Sequence, residues 1–213
     1  MALELSAEKA LIFRIVHRDN LSWILDHGLH ACNGTVSDPN YRNIGNVELI
    51  GKRARRTVPV PPGGTLSDYV PFYFSPYSIM MFNVKTGYGG VQKVANQDLL
   101  IFVSSLPLIA SQGISFVFTN QHAYPPMAEY FASLDQLDRV DWPLLQSRDF
   151  QQDPEDPAKK ERYQAEALIY QHVPLEALLG VCCYTEVVAR ELKAKTTQRR
   201  LVLKCAAQPS WYF

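Results

Sequence analysis

The chain has 213 residues, of which 47% are hydrophobic and 20% charged, and its 21 lysines and arginines are balanced by 21 aspartates and glutamates. This composition suits one globular domain with a sizeable core, while zero net charge excludes a protein that binds nucleic acid through an overall basic surface. The four cysteines have no CxxC or CxxH spacing, so we expect no metal site. No apolar run approaches the roughly 18–20 residues of a membrane span, so we expect a cytoplasmic protein with no membrane segment.

The first half of the chain predicts a strand, two helical segments and an aromatic strand. The β-branched residues of "LIFRIV" favour a strand, and the short helix in "RDNLSWILDHG" ends at Gly28. Residues 33–45 are polar and rich in turn formers, so they form a loop. "NVELIGKRARR" has apolar residues on one side and a group of cations, and "VPFYF" predicts a short aromatic strand before a helical turn at residues 79–81.

The second half predicts four more strands around a long irregular segment. "DLLIFVSSL" and "ISFVFTN" are buried-strand patterns, whereas residues 120–160 lack strand signals and carry a predicted helix in "EYFASLDQL". "AEALIYQHV" is the next strand, followed by a short helix, a strand, an amphipathic helix and a final strand in "RRLVLKCAA". We therefore predict an α+β domain with about six short strands and no regular βαβ alternation.

Glu166 is the most unusual residue of the sequence, because it stands between two alanines at the start of an apolar strand. Strand alternation would place it on one face with Leu168, Tyr170 and His172. A carboxylate in such a place needs compensation. It is either paired with an arginine at the edge of the sheet, or held at a cleft to contact a ligand.

Three further features each have a structural and a functional interpretation. The cations of "GKRARR" form either a solvated helix face or a clamp for a phosphate-bearing ligand. The aromatic residues of "DYVPFYF" are either core or a slot in which a flat ring stacks. His122 directly follows a strand, where loops present side chains well, although the pattern of a lone histidine favours an ordinary loop residue.

Taken together, these stretches resemble the DarT family, the DNA ADP-ribosyltransferase toxins of toxin–antitoxin pairs. The resemblance runs from about residue 10 to Phe213 and rests on the following blocks: "IVHRDNLSWILDHGLH", "NIGNVELIGKRARRTVPVPPGGTLSDYVPFYFSPYSIMM", "FVFTNQHAY", "LDRVDWPLLQSRDFQQDPEDPAKKERYQAEALIYQHVP" and "WYF". It implies a single domain over residues 1–213 with the ADP-ribosyltransferase-like fold, a split mixed β-sheet core with flanking helices. Within it, residues of about 37–55 match the NAD-binding element, and about 118–166 match the long loop that presents DNA.

The resemblance also implies an activity. ADP-ribose is transferred from NAD, the donor substrate, onto a thymidine base of single-stranded DNA within a short sequence motif, and nicotinamide is released without a metal. The implied partner is the macrodomain antitoxin DarG, which removes the modification. The alternatives are an ADP-ribosyltransferase acting on guanosine, RNA or protein, and a catalytically silent nucleic-acid-binding module. Retention of Glu166 and Arg53 argues against the silent module.

Matched residue by residue, the resemblance assigns three sets of positions. Glu166 and Arg53 fall on the catalytic residues. The residues expected to bind NAD are Arg14, Ile15, Val16, His17, Trp23, Arg53 and Tyr73, and many relatives carry histidine at the position of Arg14. The residues expected to bind DNA are Thr119 and His122 in the DNA-presenting loop. Lys93, Arg148 and Lys160 are added on physical grounds, as cations suited to the few phosphate contacts of a chain with zero net charge. Thymine N3 carries a proton that some group must accept, and a guanidinium is an unusual base because its pKa is high, so the proton acceptor stays open.

Overall fold

The structure is a computed structural model that describes residues 3–213. Its strands, numbered in chain order, are β1 (Leu11–His17), β2 (Leu29–His30), β3 (Tyr69–Tyr73), β4 (Leu99–Ser105), β5 (Phe116–Thr119), β6 (Tyr130–Phe131), β7 (Glu166–Tyr170), β8 (His172–Val173), β9 (Gly180–Cys183) and β10 (Lys204–Ala207). Its α-helices are α1 (Leu21–His27), α2 (Val47–Arg53), α3 (Ile79–Thr86), α4 (Leu106–Ser111), α5 (Trp142–Ser147), α6 (Lys159–Arg162) and α7 (Glu186–Gln198). Several short 3₁₀ segments connect them.

Eight of these strands form one mixed sheet in the order β10-β9-β4-β1-β3-β7-β5-β6. Only β9 and β10 run parallel among the pairs of this sheet in residues 3–213. The two halves of the sheet meet where β1 and β3 pair at a single position, Phe13 opposite Tyr73. Strands β2 and β8 form a separate antiparallel ribbon. The sheet is therefore split in the middle, which leaves room for side chains to converge beside that one pair.

The core follows from the residue types of the central strands. All seven residues of β4 are buried, as its continuous apolar run requires of a strand covered on both faces. Phe13, Phe72, Phe102 and Phe118 are each inaccessible to solvent. Burial of one such side chain contributes on the order of 1.5–3 kcal/mol, so these four aromatic residues make a large contribution to the stability of the core.

The helices are short and cover the sheet with one apolar side. The longest helix in the described residues, α7, spans 13 residues and is capped at its start by Thr185. It buries Val188, Ala189 and Leu192 and exposes its charged side, as an amphipathic surface helix does. No helix in residues 3–213 combines the length and the apolarity needed to cross a membrane.

The predicted α+β class is confirmed, and three local predictions are wrong. Strands β2 and β6 were not predicted, because two residues are too few to show alternation, and the single strand predicted in "AEALIYQHV" is two strands, β7 and β8. The helix predicted in "EYFASLDQL" is β6 followed by a 3₁₀ segment at Leu134–Arg139, because Tyr130 and Phe131 pair with β5. His172 does not share a strand face with Glu166, because Gln171 has φ 62° and ends β7.

Candidate active site

Glu166 begins β7, an interior strand of the sheet, directly opposite Tyr73 of β3. Only 1% of the residue is exposed to solvent. Its Oε1 accepts hydrogen bonds from Arg53 Nη1 at 3.1 Å and from the backbone N–H of Ala123 at 3.0 Å. Buried carboxylates are tolerated when they are paired and hydrogen-bonded in this way. The carboxylate is thus held in one position by contacts within the protein.

Arg53 is the last residue of α2 and reaches Glu166 from the other side of the cleft. Asn46 caps the start of this helix, accepting a hydrogen bond from the Leu49 N–H at 2.9 Å. The second guanidinium nitrogen of Arg53, Nη2, lies 2.9 Å from Glu166 Oε2. Nη2 makes no hydrogen bond within residues 3–213, so the attraction at this second contact is coulombic. Arg53 and Glu166 therefore form a two-point fork with one hydrogen bond and one ionic contact.

The two charged groups shift each other's protonation equilibria. Burial alone would raise the pKa of Glu166, but the adjacent Arg53 charge, the His122 ring and the hydrogen bonds from Arg53 and Ala123 lower it below its ordinary value. Burial would lower the pKa of Arg53, yet the charge of Glu166 raises it above its ordinary value. The site therefore holds a carboxylate and a guanidinium, both charged, near neutral pH.

A cavity of about 190 Å³ opens beside this pair. Of the residues predicted to bind NAD or to act in catalysis, five line it: Arg14, Ile15, Arg53, Tyr73 and Glu166. His122, predicted to bind DNA, also lines it. The cavity lies beside the junction of the half-sheets, since Tyr73 pairs with both Phe13 and Glu166.

Three of the predicted NAD-binding residues do not line the cavity. Val16 and His17 are buried in β1, and the His17 ring accepts a hydrogen bond from the Asp19 N–H at 3.1 Å. Trp23 lies on α1, where its ring stacks on His27 at 4.7 Å. Arg14, by contrast, points into the cavity region: its Nη1 donates to the Pro71 carbonyl at 2.8 Å.

The residues predicted to bind DNA are distributed over different surfaces. Thr119 is buried, and its Oγ1 accepts a hydrogen bond from the Glu166 N–H at 3.2 Å, so it supports the start of β7. Lys93 and Lys160 are exposed. The Arg148 guanidinium lies 3.6 Å from the centre of the Tyr77 ring, a cation–π arrangement. The structure brings only His122 of this set to the cavity.

The cavity also contains polar residues that the sequence did not single out. They are Cys32, Ser67, Asn83 and Gln164. Gln164 stood in the "QAE" block, but nothing in its pattern indicated a binding role. Ser67 and Asn83 come from a 3₁₀ turn and from α3, far from Glu166 in the sequence, so only the fold reveals them.

A second, larger cavity of about 820 Å³ contains neither Glu166 nor Arg53. Its aromatic lining consists of Phe82, Tyr88, Phe150, Tyr163 and Phe213. Asn83 of α3 lines both cavities. Across residues 3–213, no cluster of three or more His, Cys, Asp or Glu side chains is arranged to hold a metal ion. The charged pair therefore identifies the smaller cavity as the candidate active site.

Two solved structures resemble the chain over nearly its whole length. Thermus sp. 2.9 DarT in complex with ADP-ribosylated single-stranded DNA has a TM-score of 0.89 and 31% identity, covering 100% of both chains. The same Thermus protein in complex with NAD⁺ has a TM-score of 0.83 and 33% identity, covering 97% of this chain and 98% of that one. The fold and the Arg53–Glu166 site thus define the class, an NAD-dependent DNA ADP-ribosyltransferase.

The sequence comparisons are more specific. The family model described as "DarT: ssDNA thymidine ADP-ribosyltransferase, DarT" matches residues 13–213. A DNA ADP-ribosyl transferase of Escherichia coli O127:H6 (strain E2348/69 / EPEC) is 53% identical over 209 residues, covering 98% of this chain and 96% of the relative. The chain belongs to the DarT family, and the resemblance seen in the sequence is confirmed.

Proposed function

We propose that this protein transfers ADP-ribose from NAD to a thymidine base within a short motif of single-stranded DNA and releases nicotinamide. The observation that carries this proposal is the Arg53–Glu166 fork on the wall of a cavity, in a chain of the DarT family. The fork joins residues 113 positions apart in the sequence. A buried ion pair adds little net stability because desolvation offsets its attraction, so a charged pair on a cavity wall points to a functional role.

Glu166 stabilises the transition state in this proposal. As the bond between nicotinamide and ribose lengthens, positive charge develops on the ribose. A carboxylate fixed by Arg53 and by the Ala123 N–H stabilises that charge without reorganising. The lowered pKa of Glu166 keeps it ionised at neutral pH, as this role requires.

Arg53 has two roles in this proposal. It holds Glu166 in place, and its guanidinium offers further donors to the NAD diphosphate, for which a planar fork is suited. Arg14 and Tyr73 line the same cavity, which supports their predicted place around NAD. Val16, His17 and Trp23 do not line the cavity, so we propose that they stabilise β1 and α1.

Two segments have separate roles. Residues of about 37–55 form the NAD-binding element, a role supported by their contribution of Tyr41, Asn43, Asn46 and Arg53 to the cavity. Residues of about 118–166 form the loop that presents DNA. This role is supported by anchors at both of its ends, where His122 N–H donates to the Glu161 carbonyl at 2.9 Å.

DNA contacts are expected both in the cavity and on the surface outside it. Lys93 and Lys160 are exposed and suited to contact phosphates, and Arg148 directly precedes the polar stretch that leads to α6. Thr119 acts through β7 and His122 acts in the cavity. Because the net charge is zero, we expect few phosphate contacts and a shallow dependence of affinity on salt.

We further propose a cytoplasmic location and a macrodomain antitoxin of the DarG type as partner. Membership of the DarT family supports both assignments. An enzyme that modifies the DNA of its own cell needs an activity that reverses the modification, and removal of ADP-ribose is the matching chemistry. Co-purification of the toxin with its antitoxin from the native cell tests this partner.

The experiment that tests the proposal is incubation of the protein with NAD and a panel of short single-stranded oligonucleotides. Mass spectrometry should show one added ADP-ribose on oligonucleotides that contain thymine in the preferred motif, and release of nicotinamide. Oligonucleotides with guanine but no thymine, RNA of the same sequence, and the protein itself should stay unlabelled. Label on any of these three instead of thymine would assign one of the alternative acceptors.

A further inference from the structure

The backbone of Ala123 links the Glu166 carboxylate to a tyrosine that does not line the cavity. The Ala123 N–H donates to Glu166 Oε1 at 3.0 Å, and the Ala123 carbonyl accepts a hydrogen bond from the Tyr130 hydroxyl. Ala123 is inaccessible to solvent, and only 8% of Tyr130 is exposed. The Tyr130 hydroxyl therefore holds the residue that in turn holds the carboxylate.

The loop of residues 120–129, in which this alanine lies, is closed at its ends. Thr119 of β5 pairs with Tyr130 of β6 where the loop begins and ends. Asn120 Nδ2 donates to Glu129 Oε2 at 2.7 Å, and the Glu129 N–H donates to Asn120 Oδ1 at 3.2 Å. These contacts fix the two ends of the loop, so its middle must be held by other groups.

Two side chains that do not line the cavity hold the middle of this loop. Tyr130 donates to the Ala123 carbonyl, and Arg56 Nη2 donates to the Pro125 carbonyl at 3.2 Å. A backbone hydrogen bond to the Glu161 carbonyl is a further contact. Among the two side chains, it is Tyr130 that binds the residue whose N–H meets the carboxylate.

Strand β6 determines where the Tyr130 hydroxyl lies. Adjacent residues of a strand point to opposite faces, and Phe131 packs on Phe118 of β5 with ring centres 5.2 Å apart. Tyr130 therefore points to the other face, where it packs in a small group of buried residues that includes Ala123. The two-residue strand thus carries the hydroxyl to the loop beside the carboxylate.

The Ala123 hydrogen bond contributes to the charge state of Glu166. Burial raises the pKa of Glu166, whereas Arg53, the His122 ring and the Ala123 N–H lower it, and the result is below the ordinary value. A hydrogen bond to an ionised group is stronger than one between neutral groups. A donor fixed in advance also stabilises the carboxylate without reorganising during the reaction.

We propose that Tyr130 is a positioning residue for the transfer reaction, because its hydroxyl holds Ala123 so that the Ala123 N–H keeps the Glu166 carboxylate aligned with the ribose of NAD. This inference rests on the proposed function and adds to it a residue outside the cavity. Loss of the hydroxyl would let the middle of the loop move, and a misplacement of about 1 Å at a reacting group is enough to slow a reaction strongly.

The first test is the kinetics of DNA labelling by Tyr130→Phe, which removes the hydroxyl and keeps the ring. With NAD and a thymine oligonucleotide, kcat should fall by about tenfold because transition-state stabilisation is weakened. The KM for NAD should change by less than about threefold, since the residues that line the cavity are unchanged.

Tyr212→Phe is the matched control. Tyr212 is also 8% exposed, and its hydroxyl likewise donates to backbone carbonyls, those of Leu99 at 3.1 Å and Cys182 at 3.3 Å. It does not line the cavity. This variant loses the same group from an equally buried position, so it should keep the wild-type kcat.

A double variant shows whether Tyr130 acts through Glu166. Adding Tyr130→Phe to Glu166→Ala should change the remaining single-turnover rate by less than about twofold, because no carboxylate is left to be positioned. A loss in that background as large as in the wild-type background would assign Tyr130 a general structural role and overturn the inference.

Hydrogen exchange of the Ala123 amide, followed by NMR, reports on the hydrogen bond itself. Tyr130→Phe should speed this exchange by at least about tenfold, and by more than it speeds the exchange of the β4 amides, which report on global unfolding. Tyr212→Phe should speed the Ala123 amide by no more than those of β4.

The outcomes separate this inference from the proposed function. Equal kcat values for Tyr130→Phe and Tyr212→Phe, or an unchanged exchange rate at Ala123, overturn the inference and leave the proposed function in place. A wild-type protein that labels an acceptor other than thymine overturns the proposed function alone, because the same variants can be compared on that acceptor. A wild-type protein that labels no acceptor removes both.

Discussion

Glu166 shows how a carboxylate is kept charged in an apolar strand. Two partners from different parts of the chain, the Arg53 guanidinium and the Ala123 N–H, contact its oxygens. Together they outweigh the effect of burial on its pKa. Both interpretations of the sequence are therefore partly correct. An arginine does pair with Glu166, but β7 lies between β3 and β5, so the pair is at a cavity and not at a sheet edge.

The lowered pKa of Glu166 predicts a pH dependence of stability. A carboxyl group whose pKa is lower in the folded than in the unfolded protein stabilises the fold above its ordinary value of 4.5. That contribution is lost as the pH falls through the folded value. As the pH falls below 4.5, the free energy of unfolding should therefore fall more steeply in wild type than in Glu166→Gln.

Chemical denaturation at several pH values measures these two curves. Asp68 and Asp156 also have lowered pKa values, but they contribute equally to both proteins and cancel in the difference. Loss of the charge partner of Arg53 adds an offset that does not depend on pH in this range. Curves that stay parallel from neutral to acidic pH would show that Glu166 is not stabilised as an anion.

The sequence allowed the cations of "GKRARR" to be either a clamp for a ligand or a solvated helix face, and the structure contains some of each. Arg53 enters the cavity, and Arg56 donates to the Pro125 carbonyl at 3.2 Å. Lys52 pairs with Glu48 on the outside of α2, and Arg55 is exposed. Helical spacing alone could not tell which cation turns inward, because that depends on where α2 is docked. Only the resemblance indicated Arg53.

At the scale of secondary-structure elements, strands with long apolar runs could be predicted from the sequence, whereas two-residue strands could not. Strands β1, β4, β5 and β7 were predicted because each has a run of apolar residues bounded by turn formers. Successive side chains of β3 point to opposite faces, with Phe72 in the core and Tyr73 lining the cavity. The aromatic segment "VPFYF" therefore contributes both to the core and to the cavity wall. Strand β6 could not be predicted because its two residues are specified by their partners in β5.

Replacing each of two glycines by alanine should change the free energy of unfolding in opposite directions. Gly28 ends α1 with φ 80°, and a Cβ there would lie 2.5 Å from the Val173 carbonyl oxygen in the β2–β8 ribbon. Gly28→Ala should therefore lower the free energy of unfolding by about 1 kcal/mol or more. Gly51 lies inside α2, and a Cβ added there would have no atom within 4 Å, so Gly51→Ala should raise it by about 0.5–1 kcal/mol.

Urea denaturation of the two variants and wild type checks this pair. Each variant adds the same methyl group, so hydrophobicity is matched and only the local backbone differs. Equal effects of the two substitutions would contradict the account of the α1 terminus and of α2. Because α2 carries Arg53, labelling by Gly51→Ala should remain close to wild type.

At the scale of the whole molecule, the site depends on how the sheet is split. The half-sheets meet at the Phe13–Tyr73 pair, and Arg14, Tyr73 and Glu166 beside that pair all face the cavity. The sequence predicted the fold class and, through the resemblance, the two charged residues. It could not predict that Ser67 and Asn83 line the cavity, since their positions depend on packing between distant segments. Physical patterns alone left the chemistry undecided.

The account rests on Arg53 and Glu166 acting as one unit across the cavity. Single-turnover transfer to a thymine oligonucleotide, measured for Arg53→Lys, Glu166→Gln and the double variant, tests this most directly. Each single substitution should slow transfer by about 10²-fold or more. The double variant should be no more than about threefold slower than the slower single variant, because residues of one unit lose their effect together. Losses that multiply would show that the two residues act independently and would contradict the account.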